Sequence, residues 1–112
     1  MKNFKKILLI DFDGVLNNYN GNFNADYIPE IKQGAKEFLE TLSKGYEIKI
    51  FTTRNRLLTS KWLIENKLNN YVTDVTNVKE PAYLHIDDRC ICFNGNFNET
   101  INDINNFTVY WK

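Results

Sequence analysis

"ILLIDFDGVLN", residues 7–17, decides the reading of this chain. Four aliphatic side chains, Ile7 to Ile10, have the length and composition of a strand buried on both faces, as in a parallel sheet. The run then stops at Asp11, shows a second carboxylate at Asp13 and continues into Gly14. Two like charges so close together repel, and folding has no need of them. A carboxylate pair at a strand end points to chemistry, because ligands of open parallel sheets bind at the carboxyl ends of the strands.

Working outward, the rest of the chain supplies partners for that strand. A polar, Asn-rich stretch, residues 17–29, reads as a long loop. Pro29 stands where a first helical turn would begin, and Ile31, Ala35, Phe38, Leu39 and Leu42 recur at helical steps until Gly45 closes the pattern. "YEIKIF" (46–51) is a second strand ending in "TTRN", and "RLLTSKWLIENKL" (56–68) a second helix. "YVTDVT" (71–76) and "AYLHID" (82–87) read as the third and fourth strands. "CICF" (90–93) suggests a short strand, "NETINDINNF" (98–107) a last helix and "TVYW" (108–111) a final strand. Alternating strands and helices predict one α/β domain over residues 1–112, three-layered and Rossmann-like, with a mostly parallel sheet.

Bulk composition narrows the function. Lys plus Arg equals Asp plus Glu at 14 each, so the basic excess of a general nucleic-acid or membrane-surface binder is missing. The lysines before the first apolar run mimic a secretory leader, but the run is too short and ends in charge. With no membrane span in the sequence, the expected location is the cytoplasm. Cys90 and Cys92 form a lone C-x-C on one face of their strand, without the second ligand pair of a structural zinc site. They read as small reduced hydrophobes. His85, inside a strand, reads as a packed core histidine, and Trp62 and Trp111 as packing residues.

The polar groups at the predicted strand ends form one set: Asp11 and Asp13, Thr52 and Thr53, Asp87 and Asp88, with Lys79 just before the fourth strand. Phosphoryl transfer through a carboxylate needs such a set. An ionised Asp can attack phosphorus, and a protonated one can donate to the leaving oxygen. A hard cation such as Mg²⁺ binds through carboxylates plus phosphate oxygens and offsets the repulsion among the acids. A Thr hydroxyl and the Lys79 ammonium can hold the remaining phosphate oxygens. Gly14 lets the backbone come close to the phosphate. Arg54 and Arg89 follow these motifs directly and read either as substrate contacts or as solvated rim charges.

"DFDGVLN", "IFTTR", Lys79 and "HIDDR" resemble, in order, the four motifs of the haloacid dehalogenase-like (HAD) phosphatase superfamily, and the resemblance spans residues 7–93. It implies that Asp11 is the nucleophile and Asp13 the general acid/base, with the Asp13 backbone carbonyl also on the metal. Thr52 then corresponds to the phosphate-binding Thr of the second motif, with Thr53 an alternative, and Lys79 to the Lys of the third. Asp87 and Asp88 correspond to the metal-binding acidic pair of the fourth. "KEPAYLHIDDR" is similar to the "K-P-x-A-x-x-x-I-D-D-R" stretch of small HAD members, except that Glu80 stands between the Lys and Pro81. Residues 17–29 are too few for a folded cap domain, so the resemblance implies a capless Mg²⁺-dependent phosphatase with only a flap. Tyr19, Phe23 and Tyr27 are set in that flap and either cover the site or anchor the loop. The expected partner is a phosphorylated small molecule or a phosphate ester on a larger molecule, and the open site leaves room for a second subunit of a homo-oligomer.

Two other functions compete. A receiver-type phosphoacceptor domain uses the same groups, but its acceptor Asp ends the third strand in mid-sequence. Here "FTTRN" stands in mid-sequence, and no further Asp precedes Asp74 after the flap. A non-catalytic phosphate-binding relative of the HAD enzymes is the other.

Overall fold

The computed structural model describes residues 4–112; the first three residues of the expected domain lie outside them. Strands β1 (Lys6–Asp11), β2 (Tyr46–Phe51), β3 (Asp74–Thr76) and β4 (Leu84–Ile86) form a four-stranded sheet in the order β3-β2-β1-β4. Every pairing is parallel, with Leu8 opposite Ile48 and Leu84, and Ile10 opposite Ile50 and Ile86. The helices are α1 (Ala35–Ser43), α2 (Arg56–Glu65) and α3 (Phe97–Asn105). The α/β class and the parallel sheet follow the sequence reading.

From β1 to β3 the strand order advances in one direction, so right-handed crossovers place α1 and α2 on the same face. The core agrees. Leu8, Ile10, Ile48, Ile50 and Val75 of the sheet pack with Ala35 and Leu39 of α1 and with Trp62 and Leu63 of α2. Trp62 meets Phe12 edge-on, 4.9 Å between ring centroids. Phe12, Leu16, Leu39, Ile48 and Ile50 are fully buried, each contributing about 1.5–3 kcal/mol of transfer free energy. Asn55 caps α2 by accepting from the Leu57 and Leu58 amides.

After β3 the chain turns back across the sheet to pair β4 on the far side of β1. Residues 77–83 carry this return over the opposite face, where Glu80 meets Lys49 at 3.5 Å and the Tyr83 amide donates to the Ile7 carbonyl. So short a return has no room for a helix, and α3 buries none of its side chains. The return between β3 and β4 therefore contributes no helix to the expected third layer. His85, paired with Leu9, is exposed there and is not the core histidine expected. Reversal of the strand order at β1 makes the gap between β1 and β4 the crevice where such sheets bind ligands.

Four local expectations change. Helix α1 begins at Ala35, not near Pro29, because Glu30 and Lys32 pair with Asn18 and Leu16 and close the flap at its base. Gly34 (φ 91°) makes the turn into the helix. The third strand shortens to Asp74–Thr76, with a 3-10 turn at Asn69–Tyr71 before it. "CICF" forms no strand, and both cysteines are exposed and free. "TVYW" forms no strand either: Val109 is buried while Tyr110 and Trp111 bond through their side chains to the end of the sheet.

Candidate active site

The carboxyl ends of β1, β2 and β4 open into a cleft of about 260 Å³ lined by Asp11, Asp13, Thr52, Thr53, Asp87 and Asp88, with Arg89 at one wall. Tyr19 and Phe23 of the flap complete the lining. Three separate strand ends thus deliver to one place the residues that the sequence singles out. Tyr27, the third flap aromatic, stays outside the cleft and exposed.

Oxygens of Asp11, Asp87 and Asp88 lie within 4.8 Å of one another. Burial raises the Asp11 carboxyl to about 8, with the charges of Asp87 and Asp88, a hydrogen bond with Asp88 and the charge of Asp13 adding to it. Asp87 is raised too, mainly by partial desolvation, against which the Arg89 amide donates to its Oδ1 at 3.0 Å. Three hard oxygen donors whose charges oppose one another are a donor set suited to a divalent cation such as Mg²⁺.

The Asp13 carboxylate is held differently. Arg54 Nε donates to Asp13 Oδ2 at 2.9 Å and to Oδ1 at 3.1 Å, and Asn17 Nδ2 donates to Oδ1 at 3.1 Å. It stands apart from the three-acid cluster, which leaves only the backbone carbonyl of Asp13 for the metal role expected of it. Arg54 is buried at 4% exposure. Its Nη1 donates to the Asn24 carbonyl at 2.8 Å, and its guanidinium lies 4.6 Å from the Phe23 ring. Arg54 is thus neither a rim charge nor part of the cleft lining; it ties the flap to Asp13. Its Nη2 is buried without a partner among the described residues.

Thr52 is the buried member of the threonine pair, at 2% exposure. Its Oγ1 accepts from the Arg54 amide at 3.1 Å, and a hydroxyl that accepts one bond still has its proton to donate. Thr53 is exposed in the same cleft. Lys79 lies outside the cleft, in an adjoining hollow whose walls include Asp11, Asp87 and Phe51.

Gly14 has φ +82°, and a Cβ there would lie 2.2 Å from Asp88 Oδ2. Its amide donates to Asn17 Oδ1 at 3.2 Å. The missing side chain therefore makes room for Asp88.

Two contributors were invisible in the sequence. Asn17 is one of many asparagines, yet it is fully buried, accepts from the Gly14 and Tyr19 amides and donates to Asp13. An Asn four residues after the second carboxylate was the only signal. Trp111 donates to Asp88 Oδ2 at 2.6 Å. Nothing near it in sequence announces that contact. No helix of the described residues is long and apolar enough to cross a membrane. The chain matches no protein-family model, no curated protein and no solved structure.

Proposed function

We propose that this chain is a Mg²⁺-dependent phosphomonoesterase of the HAD type, working through an aspartyl-phosphate on Asp11. The observation that carries the reading is the meeting of Asp11, Asp13, Thr52, Asp87 and Asp88 around one cleft at the switch point of a parallel sheet. Asp11, Asp87 and Asp88 would hold the cation, with the Asp13 carbonyl as a further ligand. Bound there, Mg²⁺ neutralises phosphate charge and keeps Asp11 ionised.

In the first half-reaction an Asp11 oxygen attacks phosphorus and the bond from phosphorus to the leaving oxygen breaks. Asp13, which enters this step protonated, gives its proton to that oxygen and is left as the carboxylate that Arg54 holds. In the second, water attacks the aspartyl-phosphate, Asp13 takes the proton and Asp11 is released with inorganic phosphate. Arg54 and Asn17 keep Asp13 aimed at the leaving group, and the Thr52 hydroxyl donates to a phosphate oxygen. Lys79 lines an adjoining hollow with Asp11 and Asp87, and its ammonium is assigned to a remaining phosphate oxygen. Tyr19 and Phe23 exclude water from the transferring group and touch the leaving group. The substrate is a phosphorylated small molecule or a phosphate ester on a larger one.

A generic aryl phosphate tests this. Hydrolysis is expected with Mg²⁺ near neutral pH and should disappear in excess EDTA. Undiminished turnover in EDTA would remove the cation from the account.

A further inference from the structure

The last residues of the chain reach the site from a direction that the motifs do not cover. Val109 is buried at 8% exposure. Beyond it the Tyr110 hydroxyl donates to the Gly14 carbonyl. The Trp111 indole N–H donates to Asp88 Oδ2 at 2.6 Å. The same indole stands edge-on to Tyr19, 5.4 Å between centroids. A Cβ on Gly21 would come within 3.3 Å of its ring, and the Arg89 guanidinium lies 5.9 Å from it. One side chain therefore touches a carboxylate of the three-acid cluster, the flap and the end of β4.

An indole N–H only donates. It can fix the rotation of the Asp88 carboxylate without taking a coordination position itself, and each carboxylate oxygen keeps a lone pair for a cation. Carboxylates that bind metals depend on such outer partners for their orientation. Gly14 fits the same purpose, since a Cβ there would also lie 3.1 Å from Trp111 Nε1. We infer that Trp111 is a positioning residue: it orients Asp88 for the divalent cation and links cation binding to the flap through Tyr19. The inference rests on the proposed reading of the three acids as a cation site.

Direct Mg²⁺ binding, measured by calorimetry without substrate, tests it. Trp111→Phe keeps an aromatic ring there and removes the donor, together with part of the indole's packing area. Its Kd for Mg²⁺ is expected to weaken about 10- to 100-fold, the usual effect of losing an outer partner. In a Trp62→Phe background Trp111 is the sole tryptophan, and its emission is expected to change on addition of Mg²⁺ and to return with EDTA. Adding Tyr19→Ala to that background should shift the Mg²⁺ affinity and alter the response of the emission, because a link between flap and cation is reciprocal; an affinity and a response both unchanged overturn the link to the flap. A wild-type Kd in Trp111→Phe overturns the inference alone. Should that variant fail to fold, emission of the Trp62→Phe protein that ignores saturating Mg²⁺ overturns it equally. A folded wild-type protein that binds no Mg²⁺ overturns the reading of the site, and this inference with it.

Discussion

Replacing Asp11 by Asn should stabilise the cation-free protein while abolishing turnover. Burial and the neighbouring acids lift the Asp11 carboxyl from 3.8 to about 8. Between those values the folded protein binds a proton at Asp11 that the unfolded chain releases. The wild type therefore loses stability relative to the variant as pH rises from about 4 to about 8. A rise of about four units has a ceiling of about 6 kcal/mol. The cleft is open to water, which screens most of that, so a gain of about 1–2 kcal/mol is expected at pH 8. For a domain of this size that corresponds to a melting temperature about 5–10 °C higher. Thermal melts of both proteins in EDTA at pH 8 and pH 4 measure it. The gap should be wide at pH 8, nearly absent at pH 4, and narrowed at pH 8 by excess Mg²⁺, which relieves the repulsion in the wild type. An Asn variant that melts at or below the wild type at pH 8, or a gap equal at both pH values, would refute the electrostatic argument.

Two other substitutions probe different parts of the site. Arg54→Ala removes the donor that grips Asp13 and the tie to the Asn24 carbonyl. It should lower kcat about 10- to 100-fold, within what general acid catalysis supplies, with less effect on substrates whose leaving groups need no proton; an equal loss for all leaving groups counts against the role of Asp13. Replacing Tyr19 and Phe23 together by Ala should lower kcat/KM unequally, most for large ring-containing leaving groups, and a steady-state comparison across phosphate esters checks it. A uniform loss that tracks lost thermal stability would make the aromatics anchors of the loop.

Much of this arrangement could be read from the chain because it obeys local rules. An apolar run that stops at a carboxylate marks β1, and repetition of that pattern at Thr52 and Asp87 marks β2 and β4. The rest depends on contacts between residues distant in sequence. Pro29 and Ile31 carry helical signals, yet base pairing of the flap with Leu16 and Asn18 claims that segment first. "TVYW" has strand composition, but two side-chain bonds to Gly14 and Asp88 hold it across the site instead. Arg54 follows its motif directly and reads either as a substrate contact or as a rim charge; only folding reveals that it is buried against Asp13. His85 reads as a core residue from its apolar neighbours, yet it is exposed beside the helix-free return into β4.

The proposed phosphatase works only if Asp11 forms a covalent bond to phosphorus. Asp13→Asn should slow breakdown of that species while a good leaving group still permits its formation, so this variant is the one to trap. Rapid acid quench during turnover of an activated phosphate ester, followed by peptide mass spectrometry, locates the phosphoryl group. One phosphoryl group is expected on the peptide holding Asp11, absent in Asp11→Asn and removed by hydroxylamine, as an acyl-phosphate must be. Sustained Mg²⁺-dependent turnover with no phosphorylated peptide, or with phosphate on another residue, would contradict it.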